Sequence, residues 1–382
     1  MPIIARDPIN GKIAEIFLAE TALNSSIFED HFINRLSSSQ SLWNQKWSID
    51  ASDSMIYDSD ILLHPINADP TTAYPSFQGG GRTDGNILVE HQLFNTSRSQ
   101  MSLVGNGNYM WSFNPVFAAG DPTDLTLNAP YSLKGVWRRK QYELTFVPGF
   151  ETLDMDYNNT SGGVSRPDIL NSFTGEIDWL LAMRSNWLSN TTFNIRHDQS
   201  LLPDGGPDDA TAMKYEIFQE ESFFINPEKT RAFQSFVGFT YNAALGINEI
   251  FNRIEAGGLY SAPLKKFQNV FWDAAATVYH MTYPNKEINV GQKGETDDDT
   301  TLAAGLTKYV NSHWSGMFTA SYTTNTSNVD TSKYNKYVVM ATIDYHWDGS
   351  PQGSAGLQGE PVHSMSYFSA GSTGTDSNTG SY

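Results

Sequence analysis

The strongest constraint on this chain is a two-residue period. In "KYNKYVVMATIDYHW", Lys333 to Trp347, one row runs Tyr337, Val339, Ala341, Ile343, Tyr345 and Trp347, all apolar or aromatic. The intervening row is Lys336, Val338, Met340, Thr342, Asp344 and His346. Successive side chains of a strand point to opposite faces, so the period marks a strand with one greasy face. In a soluble sandwich that face turns inward to the core. In a membrane barrel it turns outward to lipid.

From Trp47 onward the pattern recurs in about fourteen pieces of about ten residues, close to what a tilted strand needs to cross a bilayer. The connections alternate too. Tight ones such as Arg138-Arg139-Lys140, Asn186 to Ser189 and Pro263 to Lys266 take turns with long polar ones such as "HPINADPTTAYPSFQGGGRTD", "NPVFAAGDPTDLTLNAP" and "YPNKEINVGQKGETDDD". Short turns at one end and long loops at the other are the rhythm of an up-and-down membrane barrel. Greek-key sandwiches, with strands of about five or six residues, do not keep it.

The charges divide between the two faces. Glu143, Glu176, Asp178, Arg184, Arg196, Lys214, Glu216, Arg253, Glu255, Asp273, Lys308 and Asp344 are assigned to the face toward a lumen. Ile177, Trp179, Leu181, Val237, Phe239, Trp272, Val339, Ala341 and Ile343 are assigned to lipid. Mid-strand charges of both signs are too costly for a dry core, so their face is wet. Aromatics gather at strand ends, where headgroup-level girdles belong, as with Tyr109, Trp111 and Phe113, with Trp187 and Trp314, and with Tyr345 and Trp347. Composition agrees: aromatics make up 13% and charged residues only 17%. A charge placed at Ala341 is expected to block insertion, and one at Thr342 to be tolerated.

The fold expected is therefore all-β, a transmembrane antiparallel up-and-down barrel of about fourteen strands over residues 41–348. Residues 1–40 read as a periplasmic segment of two short helices, the first after Asn10-Gly11 with Ile13 and Ile16, the second over "SIFEDHFINRL". Residues 349–382, rich in Gly and Ser, read as a flexible tail. No secretory signal is readable at the start, so an exported barrel implies further sequence upstream.

Chemistry finds little support. Cysteine is absent, which excludes thiolate metal sites, cysteine nucleophiles and disulfides. His197 and Asp198 are adjacent and point to opposite faces. The run Asp297-Asp298-Asp299 lacks the spaced ligands of a calcium loop, and "FQGGGRTDG" lacks the Lys-Ser/Thr and helix of a phosphate cradle. No catalytic set, cofactor or metal is expected, so the chain does not read as an enzyme. A net charge of −18 without basic clusters argues against nucleic acid. The expected partners are outer-membrane lipid and other envelope proteins reached through the N-terminal helices or the C-terminal tail.

Three stretches carry a resemblance. "WSIDASDSMIYDSDILLHP", "FNRIEAGGLYSAPL" and "SYTTNTSNVDTSKYNKYVVMATIDYHW" resemble the first and later strands of tetratricopeptide-barrel outer-membrane proteins of the surface lipoprotein assembly modifier type. The resemblance implies a fourteen-stranded barrel in the bacterial outer membrane, with Asp58 and Asp60 at the first loop and Asn325, Ser327 and Asn328 at the last. It implies a periplasmic repeat domain as well, yet the first 40 residues contain no 34-residue period. The function expected is a translocation or diffusion channel for polar cargo within a larger envelope complex. Two alternatives stand beside it: an anchor or partner-binding barrel with a plugged lumen, and a soluble carbohydrate-binding β-protein.

Overall fold

A computed structural model describes residues 46–59, 80–96, 98–113, 122–138, 140–155, 168–200, 206–207, 209–226, 231–267, 269–289, 292–311 and 313–348, with strand fragments at 6–7, 12–15 and 363–364. Fifteen strand segments form one antiparallel sheet that closes on itself. Two of them, Pro122–Asn128 and Tyr131–Trp137, lie end to end between the same two neighbours and make a single interrupted stave. The barrel thus has fourteen staves.

In chain order these are β1 Lys46–Asp58, β2 Gly80–Asn95, β3 Ser99–Ser112, β4 (the interrupted stave), β5 Lys140–Met155, β6 Asp168–Arg184 and β7 Trp187–Ser200. They continue with β8 Ala212–Phe224, β9 Ala232–Ala244, β10 Phe251–Pro263, β11 Val270–Asn289, β12 Gln292–Tyr309, β13 Trp314–Ser327 and β14 Tyr334–Asp348. Each pairs with its predecessor, and β14 closes on β1 in register from Val338↔Asp58 to Asp348↔Ser48. Closure leaves no sheet edge, so backbone donors and acceptors are satisfied between strands, which a lipid environment demands.

Two segments that read as loops in the sequence are strands. Pro122–Asn128, inside "NPVFAAGDPTDLTLNAP", pairs with β3 and β5. The stave breaks at Ala129-Pro130, where proline has no N–H for the ladder, and the Pro130 carbonyl accepts from Ser102 N at 3.1 Å. Similarly, "YPNKEINVGQKGETDDD" belongs to an extended β11–β12 hairpin joined through residues 290–291. Its Asp, Lys and Gly residues resemble loop composition because this end of the ladder has no apolar outward row; pairing continues all the same, with register shifts after Tyr283.

The expected N-terminal helices fall largely outside the described residues. The described part of the first, Lys12–Glu15, is extended rather than helical: it pairs with Arg6–Asp7 and with His363–Ser364. A four-residue piece alternating Lys, Ile, Ala, Glu suits a strand register as well as a helix face, and pairing decides between them. The tail expected after residue 348 lies outside the described residues apart from that fragment.

Candidate functional site

Which face meets the lumen is answered by exposure. On β1, Met55 is 64% exposed and Ile56 4%; on β14, Ile343 is 61% exposed and Met340 4%. The exposed row carries Ile87, Leu103, Leu125, Leu127, Val237, Leu302 and Phe318, all large and apolar. The covered row carries Ser54, Asp124, Thr126, Asn190, Thr240, Thr301 and Thr323. The apolar row is outside and the polar row inside, the reverse of a soluble sandwich and the arrangement of a transmembrane barrel.

Aromatic side chains bound the outer belt at both ends. Toward the short turns, Trp137 and Trp179 meet edge to face at 5.8 Å, Trp187 stacks on Phe223 at 5.4 Å, Tyr260 meets Trp272 at 5.2 Å, and Trp314 meets Tyr345 at 4.8 Å. Toward the long loops stand Tyr57 with Tyr337 and Tyr215 with Tyr241. From Tyr337 to Tyr345 a strand runs about 26 Å at about 3.3 Å per residue, which a tilt brings within the hydrocarbon thickness of an outer membrane. This is the construction of a bacterial outer-membrane barrel.

The lumen holds an ion-pair ladder on β5 to β10. Arg196 on β7 donates to Glu151 on β5 at 2.7 Å and to Ser172 on β6 at 2.8 Å, and it also pairs with Asp198. Ser172 donates in turn to Asp198 at 2.6 Å. Beside it, Asn194 donates to Glu216 at 3.0 Å, Thr192 to Asp178 at 2.6 Å, and Arg253 pairs with Glu255 at 3.2 Å. Across the closing seam, Lys336 lies 3.7 Å from Asp58 and Ser54 shares a hydrogen bond with Thr342 at 2.8 Å.

Toward the short turns the lumen wall changes character. Leu180, Leu188, Phe218, Phe224, Phe236, Leu259, Ala275 and Ala303 form a covered apolar patch on β6 to β12. Two phenyl rings occupy the space beside glycines of the next strand: a Cβ at Gly238 would meet Phe218 at 2.2 Å, and one at Gly257 would meet Phe236 at 2.5 Å. Ile56, Met317, Val338 and Met340 make a second patch at the seam.

The sequence-derived residues can be placed one by one. Glu176, Asp178, Arg196, Glu216, Arg253, Glu255 and Asp273 are buried on the inward row, and Glu143, Lys214 and Asp344 lie there half-buried. Arg184 has the same parity but is exposed at the β6–β7 turn, where the ladder shifts register beside Trp187. Lys308 is exposed and shares its parity with Leu302 and Leu306, so it stands on the outer wall. It lies one residue from the short turn, a position from which a lysine stem can follow the apolar wall and bring its ammonium to headgroup level. Ile177, Trp179, Val237, Phe239, Ala341 and Ile343 are exposed on the outward row, with Leu181, Trp272 and Val339 half-covered on it.

Polar groups on the outer wall escaped the sequence reading. Glu221 on β8 points outward and accepts from Ser189 and Gln219 at 2.9 Å each and from the Trp187 indole. Asp53 on β1 points outward and accepts from Thr83 at 2.6 Å. The signal was present in the alternation: Glu221 has the parity of Ile217 and Phe223.

No family model matches the chain, and no curated protein matches it; the resemblance to tetratricopeptide-barrel proteins therefore finds no support. Among solved structures it is similar to OprD of Pseudomonas aeruginosa, 8% identical over 83% of this chain and 98% of that one with a TM-score of 0.36. It is similar to OprB of Pseudomonas putida, 9% identical over 79% and 94% with a TM-score of 0.42, and to an anion-selective porin of Comamonas acidovorans, 8% identical over 80% and 99% with a TM-score of 0.42.

Proposed function

We propose that this chain is an outer-membrane diffusion channel for small polar solutes. The observation that carries the reading is the inward row: it is lined with Ser, Thr, Asn, Asp, Glu, Arg and Lys side chains, while the belt around it is apolar. A barrel serving only as an anchor has no use for such a lining, whereas hydrogen-bonding side chains and fixed charges replace a solute's hydration along a pore. Solutes enter through the long-loop end past the charged ladder and leave past the apolar patch.

A plugged barrel that holds a partner is the second reading. It is favoured by the tight cover of inward side chains, with Thr192 and Thr240 only 1% exposed and Thr323 0%. Engagement of envelope proteins through residues 1–40 or 349–382 would belong to that role. Planar-bilayer recording with the purified full chain separates the two. Stepwise current increments support the channel, and an electrically silent, correctly inserted barrel supports the plug.

A further inference from the structure

The lumen's charges are far from balanced. Among the described residues thirteen buried side chains are carboxylates and four are cations. Each of the four cations has an acceptor within the wall: Arg196 has Glu151, Arg253 has Glu255, Lys336 has Asp58, and Lys134 donates to Gln100 at 3.1 Å. The excess of negative charge favours mobile cations in the lumen, because carboxylates crowded in a confined, poorly solvated space repel one another and make the local potential negative.

One carboxylate stands apart from the ladder. Asp273 on β11 is 7% exposed, and neither carboxylate oxygen has a hydrogen-bond partner. It lies inside the apolar patch, between Phe271 and Ala275 on its own row, opposite Ser261 on β10 and Gly305 on β12. Gly305 makes the room: a Cβ there would lie 2.4 and 2.5 Å from the two oxygens. A covered carboxylate with no partner is costly as an anion, and either a proton or a cation supplied from solution relieves that cost.

We infer that the lumen is a cation pathway in which Asp273, seated in the notch left by Gly305, is a binding station for cationic solutes, from alkali ions to ammonium and guanidinium groups. The inference rests on the channel reading and names its substrate class. Ladder carboxylates draw cations in from the long-loop end. Asp273 carries them across the apolar patch, one inward position from the row of Leu259, Ala275 and Ala303.

The test is the reversal potential of the full-length protein in planar bilayers under a KCl gradient, repeated with arginine hydrochloride. The wild-type pore is expected to favour the cation in both salts. D273N, which keeps the side chain's shape, is expected to lower the cation-to-anion permeability ratio about fivefold, corresponding to the ~1 kcal/mol between unit charges about 4 Å apart in water. G305A, which crowds the notch, is expected to lower it as well, with the heat-stable folded band of both variants retained on gels. A wild-type pore without cation preference, or a folded D273N pore with the wild-type ratio, overturns the inference while leaving the channel intact. A wild-type protein that carries no current overturns the channel reading and this inference together.

Discussion

The Arg196 guanidinium donates from Nη1 to Glu151 Oε2 across 2.7 Å, reaching over β6 to join two staves that do not pair in the sheet. With Ser172 and Asp198 it makes a network in which Arg196 is 4% exposed, Glu151 1% and Ser172 0%. Removing the cation would take the compensating charge from two covered carboxylates, Glu151 and Asp198. R196M is expected to cost about 3–5 kcal/mol of barrel stability, as losing one partner of a buried ion pair does. Urea unfolding in detergent micelles measures it, and a loss under about 1 kcal/mol would show that water in the lumen screens the network.

Ala341 and Thr342 are neighbours in the chain with opposite surroundings. Ala341 is exposed on the outer row between Val339 and Ile343, so A341R places a guanidinium in hydrocarbon. The expected cost is about 2–4 kcal/mol near the bilayer midplane, read as a lower folded fraction in lipid vesicles. Thr342 faces the lumen, but it is 2% exposed and bonded to Ser54 across the closing seam. The tolerance for charge expected there from alternation alone gives way to a narrower forecast. T342V, matching the volume, should cost about 1 kcal/mol for the lost hydrogen bond, and T342R should be poorly accommodated.

Gly238 is covered by the Phe218 ring of its cross-strand partner. G238A is expected to displace that ring and cost about 1–3 kcal/mol by overpacking, and G238A/F218L should recover part of the loss. A double-mutant cycle in urea measures the coupling, and strict additivity would mean that the ring does not rest on the glycine.

Much of this barrel was legible in the sequence because a strand's period of two needs no knowledge of its neighbours. The parity of Ile177 against Asp178, or of Val237 against Gln234 and Thr240, follows from counting along one strand. The number of staves followed from the same count, although Pro122–Asn128 was hidden in proline- and aspartate-rich sequence that turns also use. What single strands cannot show is register. Only the pairing Asp273↔Gly305 reveals a carboxylate over a notch, and only β7 alongside β8 shows what surrounds Glu221. Lys308 was misplaced for a different reason: its charge was weighed above its parity with Leu306.

Glu221 tests how a carboxylate survives on the lipid-facing wall. It sits one outward position from Phe223 in the short-turn girdle and gathers donors from Ser189, Gln219 and Trp187. Few of its acceptor positions are left to face hydrocarbon. E221A removes the shared acceptor and leaves the Trp187 indole donor in an apolar setting, where an unmet group costs about 1–3 kcal/mol, while the Gln219 amide keeps Ser189 Oγ. E221Q keeps an acceptor oxygen and should retain most of the stability. Unfolding in micelles gives the first comparison, and the Trp187 emission maximum, read against a W187F control, gives the second. An E221A barrel as stable as wild type, with unchanged emission, would mean that headgroups and water already serve those donors, and that the hydrocarbon belt begins further from the turns than Glu221.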